Sequence, residues 1–394
     1  MAEPVVRPVE KRRNREPEFS DEALFLTDAP VPGRAVARGA GELWSHVVTD
    51  WAALEALDAR WRDLAQAAAE PNPFYEPWML LPALRSFAPA GLEVILVFRG
   101  ETLCGLFPME YRRGRAGLWR HPYCYLTAPL LRRGCERAAV RCWLDAVAAR
   151  AGVIRLEDVP GDGCIRLHLL DELNERGWPS LVSQAYTRAV LRRAASAEDY
   201  LGRALAGKRR KEFRRQRTRL SELGRLTTEE LPPGADPRPW VEELIALEAQ
   251  GWKGREGVDS LRDRGFLAEM AAGAARSGKL QMLALRLDGR PVALKMNLVG
   301  GEGAFAFKIT FDESFSRFSP GVLLELDNVE RAHQLPELRW MDSCAAPNRF
   351  MINHLWPDRR EMQTVFFATG SRRGALTVAM VPLLHFFRRL VRRA

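Results

Sequence analysis

No stretch of this chain reaches the roughly 20 consecutive apolar residues that a membrane-spanning helix needs. The opening Met-Ala-Glu-Pro has no apolar core of a secretory signal, so neither a spanning protein nor a secreted one is expected. Cysteine is sparse. The six (Cys104, Cys124, Cys135, Cys142, Cys164 and Cys344) form no CxxC pair, and five lie in the first half. That distribution suits reduced cytosolic thiols better than a disulfide framework, and it suggests no metal site. Tyrosine is also scarce, and none follows Tyr200.

What is present is ordinary for a large globular protein. Of 394 residues, 47% are apolar and 28% charged, enough for a sizeable core and long enough for two domains. The eleven tryptophans are many, and Trp51, Trp61 and Trp143 fall in helical patterns where they would pack. The net charge of +9 is local. Residues 203–219 hold nine Lys/Arg against one Glu, and residues 372–393 hold six Arg and no acid. These segments carry +8 and +6, so the rest of the chain is at −5. General nucleic-acid binding is therefore not implied by the total.

Residues 1–40, rich in Pro, Arg, Glu and Ala without periodicity, read as a disordered lead. The pattern then predicts helices over 51–69 and 76–87, a hairpin of strands 93–98 and 102–111, a helix over 132–150 and a strand over 153–158. A helix over 165–176 and a strand over 180–191 follow. The order recurs. Helices over 197–223, 239–250 and 260–277 precede strands 280–287, 291–299 and 304–310, with Asp288-Gly289 the clearest hairpin turn. A helix from 320 to 333 and strands 338–342 and 362–368 complete it. Shifting by 189 residues places Gly100 on Gly289, Leu131 on Pro320 and Val153 on Asp342, which suggests an internal duplication. The expected class is α/β (α+β), two mixed sheets flanked by helices, divided as 41–195, 196–370 and a basic tail 371–394.

Between a strand and a helix stands Arg317-Phe318-Ser319-Pro320-Gly321-Val322. Ser319 suits an N-cap, Pro320 the first helical position, and Gly321 close approach by a ligand. A helix start offers free N–H groups and a positive dipole end to a phosphate, and Arg317 could add a charge. The bland alternative is a capped helix.

A three-strand meander, such a turn, a helix and a strand together resemble the GNAT acyltransferase fold. Duplicated, they resemble the paired arrangement of FemABX-like peptidyltransferases, and more specifically the BioF2-like, or CelD/BcsL, acetyltransferases associated with cellulose or exopolysaccharide biosynthesis. The residues carrying the resemblance are Gly207-Lys208-Arg209-Arg210-Lys211-Glu212-Phe213-Arg214-Arg215, Leu247-Glu248-Ala249-Gln250-Gly251-Trp252-Lys253-Gly254-Arg255, Ser319-Pro320-Gly321 and Trp340-Met341-Asp342-Ser343-Cys344-Ala345. They span about 150 residues. The resemblance implies tandem GNAT-like sheets, the first degenerate. It also implies acetyl-CoA or another acyl-CoA as donor and an amine, amino-sugar or glycan acceptor. GNAT enzymes commonly use a late Tyr to protonate the departing thiolate. This chain lacks one, leaving Cys344, His354, water or the substrate.

Acyl transfer to an amine needs a neutral nucleophile, a polarised carbonyl and a path for protons. Asp342, ending a strand, is either a catalytic carboxylate or the cap of the turn 343–346. Glu248 is either a base or a solvated helix carboxylate. Trp252-Lys253 form a substrate-facing lip or core. Lys308, inside a strand, is a site charge or edge protection. His354 is a catalytic candidate or a structural histidine. The basic segment 203–219 is a solvated face or a magnet for CoA phosphates, anionic polysaccharide or RNA; with no aromatic interleaving, nucleic acid is the weaker partner. An aminoacyl-tRNA-dependent transferase and a non-catalytic assembly factor are the rival functions. The tail, too short to span, either packs on the domain or makes peripheral contact with a membrane, so the expected location is the cytoplasm or the inner-membrane surface.

Overall fold

The computed structural model describes residues 42–251 and 263–391. Thirteen strands form one sheet: β1 (Leu43–Val48), β2 (Glu93–Arg99), β3 (Thr102–Arg112), β4 (Arg115–Leu118), β5 (Leu130–Leu131), β6 (Val153–Pro160), β7 (Ser180–Arg192), β8 (Leu226–Glu230), β9 (Leu280–Leu287), β10 (Arg290–Gly300), β11 (Gly303–Phe311), β12 (Trp340–Asp342) and β13 (Asp358–Ala368). Their spatial order is β1-β2-β3-β4-β6-β13-β7-β12-β11-β10-β9-β8, with the two-residue β5 pairing β3 off this path.

The order is a palindrome of two like repeats. In each, a three-strand antiparallel meander leads to a strand that pairs parallel with the meander's last: β4 with β6, and β11 with β12. A helix bridges each parallel pair, Glu136–Ala148 in the first repeat and Pro320–Gln334 in the second. The final strands are exchanged. β13, from the second repeat, pairs with β6 of the first, and β7 of the first pairs with β12 of the second. β7 and β13 then join along ten residue pairs, which makes one sheet of both repeats. Each parallel pair is tight at a glycine. A Cβ on Gly117 would stand 2.4 Å from the Arg155 carbonyl oxygen, and one on Gly303 would stand 2.2 Å from the Trp340 ring.

The meander strands β2, β3, β9 and β10 are buried on both faces, which is why they read as continuous apolar runs. The Asp288-Gly289 turn forms as expected, with φ of 49° and 79°. β1 and β8 carry few buried residues and leave no apolar alternation in the sequence. The long expected helices are broken: 51–69 at Leu57 and 197–223 at Leu205, where the backbone extends (φ −127°, ψ 126°). The first repeat's bridging helix starts at Glu136, after Arg133-Gly134-Cys135; Leu130-Leu131 is a strand that fills the edge of β3.

Candidate functional site

In the second repeat β12 pairs with β11 only over three residues, Trp340, Met341 and Asp342 against Gly303, Ala304 and Phe305. The chain then turns toward β7, with the Ser343 N–H donating to the Ala189 carbonyl at 3.1 Å. β11 bulges at Phe307, where the register to β10 shifts between Met296 and Asn297. Past Phe305 the two parallel strands thus splay apart, and β11 runs on to Phe311, which lies against Gly321 at the start of the helix Pro320–Gln334.

At that start Ser319 has φ 54° and its side chain makes no capping bond. Its carbonyl does the closing instead, accepting from Val322 N–H at 2.9 Å and Leu323 N–H at 3.1 Å. Pro320 and Gly321 are buried, Val322 is half-buried, and a Cβ on Gly321 would press on Phe311 at 3.1 Å. The Phe318 ring is core, beside Leu220, Leu285 and Leu323, and Arg317 is exposed with its guanidinium over that ring. The helix is anchored from below. Lys295 of β10, 1% exposed, pairs with Glu325 at 2.8 Å; Glu325 accepts from Asn328, and Asn297 donates to Asn328 at 2.7 Å and to Gln281 at 2.9 Å. This polar set, with the Asn297 Oδ1 left without a hydrogen-bond partner among the described residues, fixes the helix against the sheet. The basic helix Gly207–Ser221 packs beside the helix start, and its Arg217 donates to the Leu323 carbonyl and pairs with Asp327.

Across the splay the expected carboxylates are buried. Asp342 is fully buried: Oδ1 accepts from the Cys344 N–H at 2.8 Å and lies 3.5 Å from Arg188, while Oδ2 has no hydrogen-bond partner among the described residues. One oxygen therefore caps the turn, as the bland reading expects, and the other is left over. Glu248 is 2% exposed and pairs with Lys308 at 2.7 Å, so it is not a solvated helix carboxylate and Lys308 does not guard an edge. The Lys308 ammonium also lies 5.5 Å from the centroid of the Tyr123 ring, whose hydroxyl donates to Asp263 at 2.9 Å. Burial, and then the neighbouring Asp342 carboxylate, push the Cys344 thiol well above the usual range, so it stays protonated at neutral pH. His354 is exposed on the helix Phe350–Leu355, which packs on the helix Ala197–Ala204 and β7. Trp252 and Lys253 lie outside the described residues.

Tyr125 of the first repeat enters the same place. Its ring is 5.9 Å from Phe307 of β11 and 5.7 Å from Phe74, and burial, with Cys344 and then Glu248 nearby, raises its phenol. Tyr125 belongs to the segment 119–129 between β4 and β5, which is pinned from several sides. Arg188 donates to the Tyr125 carbonyl at 2.7 Å; Asn72 donates to the carbonyls of Leu126 and Ala128; Thr127 bonds the Glu157 and Asp158 carbonyls of β6. Those last bonds place the segment in the first repeat's own splay, beyond the point where β4 and β6 part. Arg188, 3% exposed on β7, also donates to the Tyr186 hydroxyl, which donates to Asp158. Sequence reasoning missed Tyr125, Arg188 and the Lys295–Glu325 pair. The available signal was a lone charge within an apolar strand, as in Tyr186-Thr187-Arg188-Ala189-Val190 and Ala293-Leu294-Lys295-Met296.

Comparison with known proteins fits this geometry. Residues 207–350 match the family described as acetyltransferase (GNAT) domain, a span that takes in the splay and the helix start. No curated protein matches the sequence. Among solved structures, the chain is similar to FemX (TM-score 0.55, 10% identity, 79% of this chain and 95% of that one). It is also similar to the C-terminal domain of a putative lysylphosphatidylglycerol synthetase from Agrobacterium fabrum (TM-score 0.53, 13% identity, 83% and 96%). A third is a protein of unknown function from Bacteroides thetaiotaomicron VPI-5482 (TM-score 0.50, 13% identity, 79% and 97%). At such identities these neighbours speak for the fold alone. Over residues 207–350, within the second of two like repeats, the chain is thus similar to GNAT acetyltransferase domains.

Proposed function

We propose that the chain is an acyl-CoA-dependent N-acyltransferase, acetyl-CoA being the first donor to try, working in the β11–β12 splay on an amine or amino-sugar acceptor. The observation that carries this is the end of β11–β12 pairing at Phe305, with a buried Pro-Gly helix start against Phe311 of the same β11 and a basic helix alongside. In this reading the donor's phosphates sit at residues 319–322, where the helix dipole favours negative charge and Gly321 supplies a backbone N–H, those of Ser319 and Val322 being given to the Ser316 and Ser319 carbonyls. Arg317 and the exposed cations of the helix Gly207–Ser221 add attraction. The acyl arm runs into the splay, where strand-type N–H groups of β11 would polarise its carbonyl. The amine attacks that carbonyl; a C–N bond forms, the C–S bond breaks, and the proton lost from nitrogen passes to a carboxylate, directly or through water. Glu248 and the spare oxygen of Asp342 are the carboxylates available. Tyr125, kept protonated by burial, returns a proton to the departing thiolate, in place of Cys344 or His354.

The first repeat does not take a donor in this reading, because its segment 119–129 occupies the corresponding gap. The boundary near residue 195, a cytoplasmic setting, and a role in exopolysaccharide or envelope biosynthesis of the BioF2-like or CelD/BcsL type belong to the same proposal. A second reading, aminoacyl-tRNA as donor, is favoured by one observation: the many cations of the helix Gly207–Ser221 stand next to the helix start. A non-catalytic assembly factor would need neither donor. Calorimetric titration decides. Acetyl-CoA should bind the parent chain with a Kd in the micromolar range, and Gly321→Val should weaken it roughly tenfold or more by crowding Phe311 and the phosphate site. No acetyl-CoA binding, alongside steeply salt-dependent tRNA binding, would transfer the case to the second reading.

A further inference from the structure

The last helix, Arg372–Val391, is apolar on more than one side. Its inner side is accounted for. Gly374 lies so close to Gly152 that a Cβ there would stand 2.1 Å from the Gly152 carbonyl oxygen, and Val378 and Val381 are buried, Val378 in a cluster with Val153 and Ala368. The outer side is not. Leu376 is 66% exposed, more than any other large apolar side chain among the described residues, and Met380, one turn on, is 42% exposed. Arg372, Arg373 and Ala379 are exposed with them. In the sequence the same stripe continues at Leu383 and Phe387, which follow Leu376 by seven and eleven residues. Arg388, Arg389, Arg392 and Arg393 come next, and there is no Asp or Glu after residue 370.

We propose that this outer stripe is a docking surface for an anionic lipid bilayer, with the helix lying in the plane of the headgroups. Two properties select that occupant. Leu376 and Met380 stand with the exposed Arg372 and Arg373, and the sequence after residue 370 has six arginines and no acid, which complements a negatively charged headgroup layer and repels other cationic surfaces. A second copy of this chain is disfavoured for that reason, since pairing two copies of this segment would set one cationic surface against another. No helix among the described residues is long and apolar enough to cross a membrane, so contact is at the surface. The bilayer would then carry the chain to acceptors held at a membrane. This goes beyond the acyl-transfer reading and does not depend on it.

Co-sedimentation of the full chain with vesicles, without any acyl donor, tests it. On vesicles of phosphatidylcholine mixed with phosphatidylglycerol the parent should pellet, and on phosphatidylcholine alone it should stay in solution. Added salt should weaken the binding without abolishing it. The double variant Leu376→Glu with Met380→Glu should lose roughly tenfold or more of its partition. Both residues are exposed, so its unfolding midpoint should match the parent's. Equal binding by parent and variant overturns the proposal, as does a parent that ignores anionic vesicles. Self-association by light scattering that the double variant abolishes would assign the surface to a second copy instead.

Discussion

His121 has the pKa of a histidine that cannot take up a proton at neutral pH. It is 1% exposed, lies against Trp119 and Phe266, and neither ring nitrogen has a hydrogen-bond partner among the described residues. Burial lowers its pKa from 6.5 to about 3. The unfolded chain therefore takes up a proton below pH 6.5 that the folded chain refuses until about pH 3. Stability from this residue is complete above 6.5 and drains away as the pH falls through that window. Urea unfolding at about pH 7 and about pH 4.5 should show the parent losing about 2–3 kcal/mol more on acidification than His121→Leu. An equal loss would mean that His121 is protonated or solvated in the fold. At this scale the sequence disclosed charges out of place. Lys308 stood out as a charge inside an apolar strand, which must find a partner, Asp342 as a carboxylate ending a strand, and Glu248 only by its place before Trp252. Their partners were not legible, because Lys308 and Glu248 are sixty positions apart and meet only across the folded sheet.

At the scale of elements, the segment 119–129 is the informative one. Its sequence, Trp-Arg-His-Pro-Tyr-Cys-Tyr, offers aromatic residues without periodicity, and nothing local indicates which repeat they face. The structure turns Tyr123 and Tyr125 toward β11 and holds the segment by backbone bonds to β6, Asn72 and Arg188. In the proposed reaction Tyr125 of the first repeat stands in for the tyrosine that is absent after Tyr200. Tyr125→Phe should keep the ring packing on Phe74 and Phe307 while removing the proton. The expected outcome is a fall in kcat of roughly a hundredfold for CoA release from acetyl-CoA with an amine acceptor. The Kd for acetyl-CoA should stay within about twofold of the parent's. An unchanged kcat would remove Tyr125 from the chemistry. The hairpins and bridging helices were readable from apolar period and from Asp288-Gly289. The short strands β1 and β8 were not, since edge strands half in solvent carry no strong pattern.

Taken whole, the molecule is one sheet made by two repeats that trade their last strands. The offset of 189 matched the hairpin turns, but the bridging helices start at Glu136 and Pro320, 184 apart, with Leu131 in a strand; the exchange was not visible. β7 and β13 are both mixed apolar and polar strands, and which of them lies beside β6 depends on pairings about 200 residues apart. The exchange matters for function, because it sets β7, with Arg188, between the repeats and so brings Asp342 of one to Tyr125 of the other. Two similar gaps result, one holding the segment 119–129 of its own chain and the other beside β11 as it runs on to the helix start. The central claim is that only the second binds the acyl donor. Backbone hydrogen exchange with and without acetyl-CoA tests it most directly. Protection is expected across residues 318–324, with residues 133–139 at the matching helix start unchanged; protection at 133–139 instead, or at neither, would contradict the account.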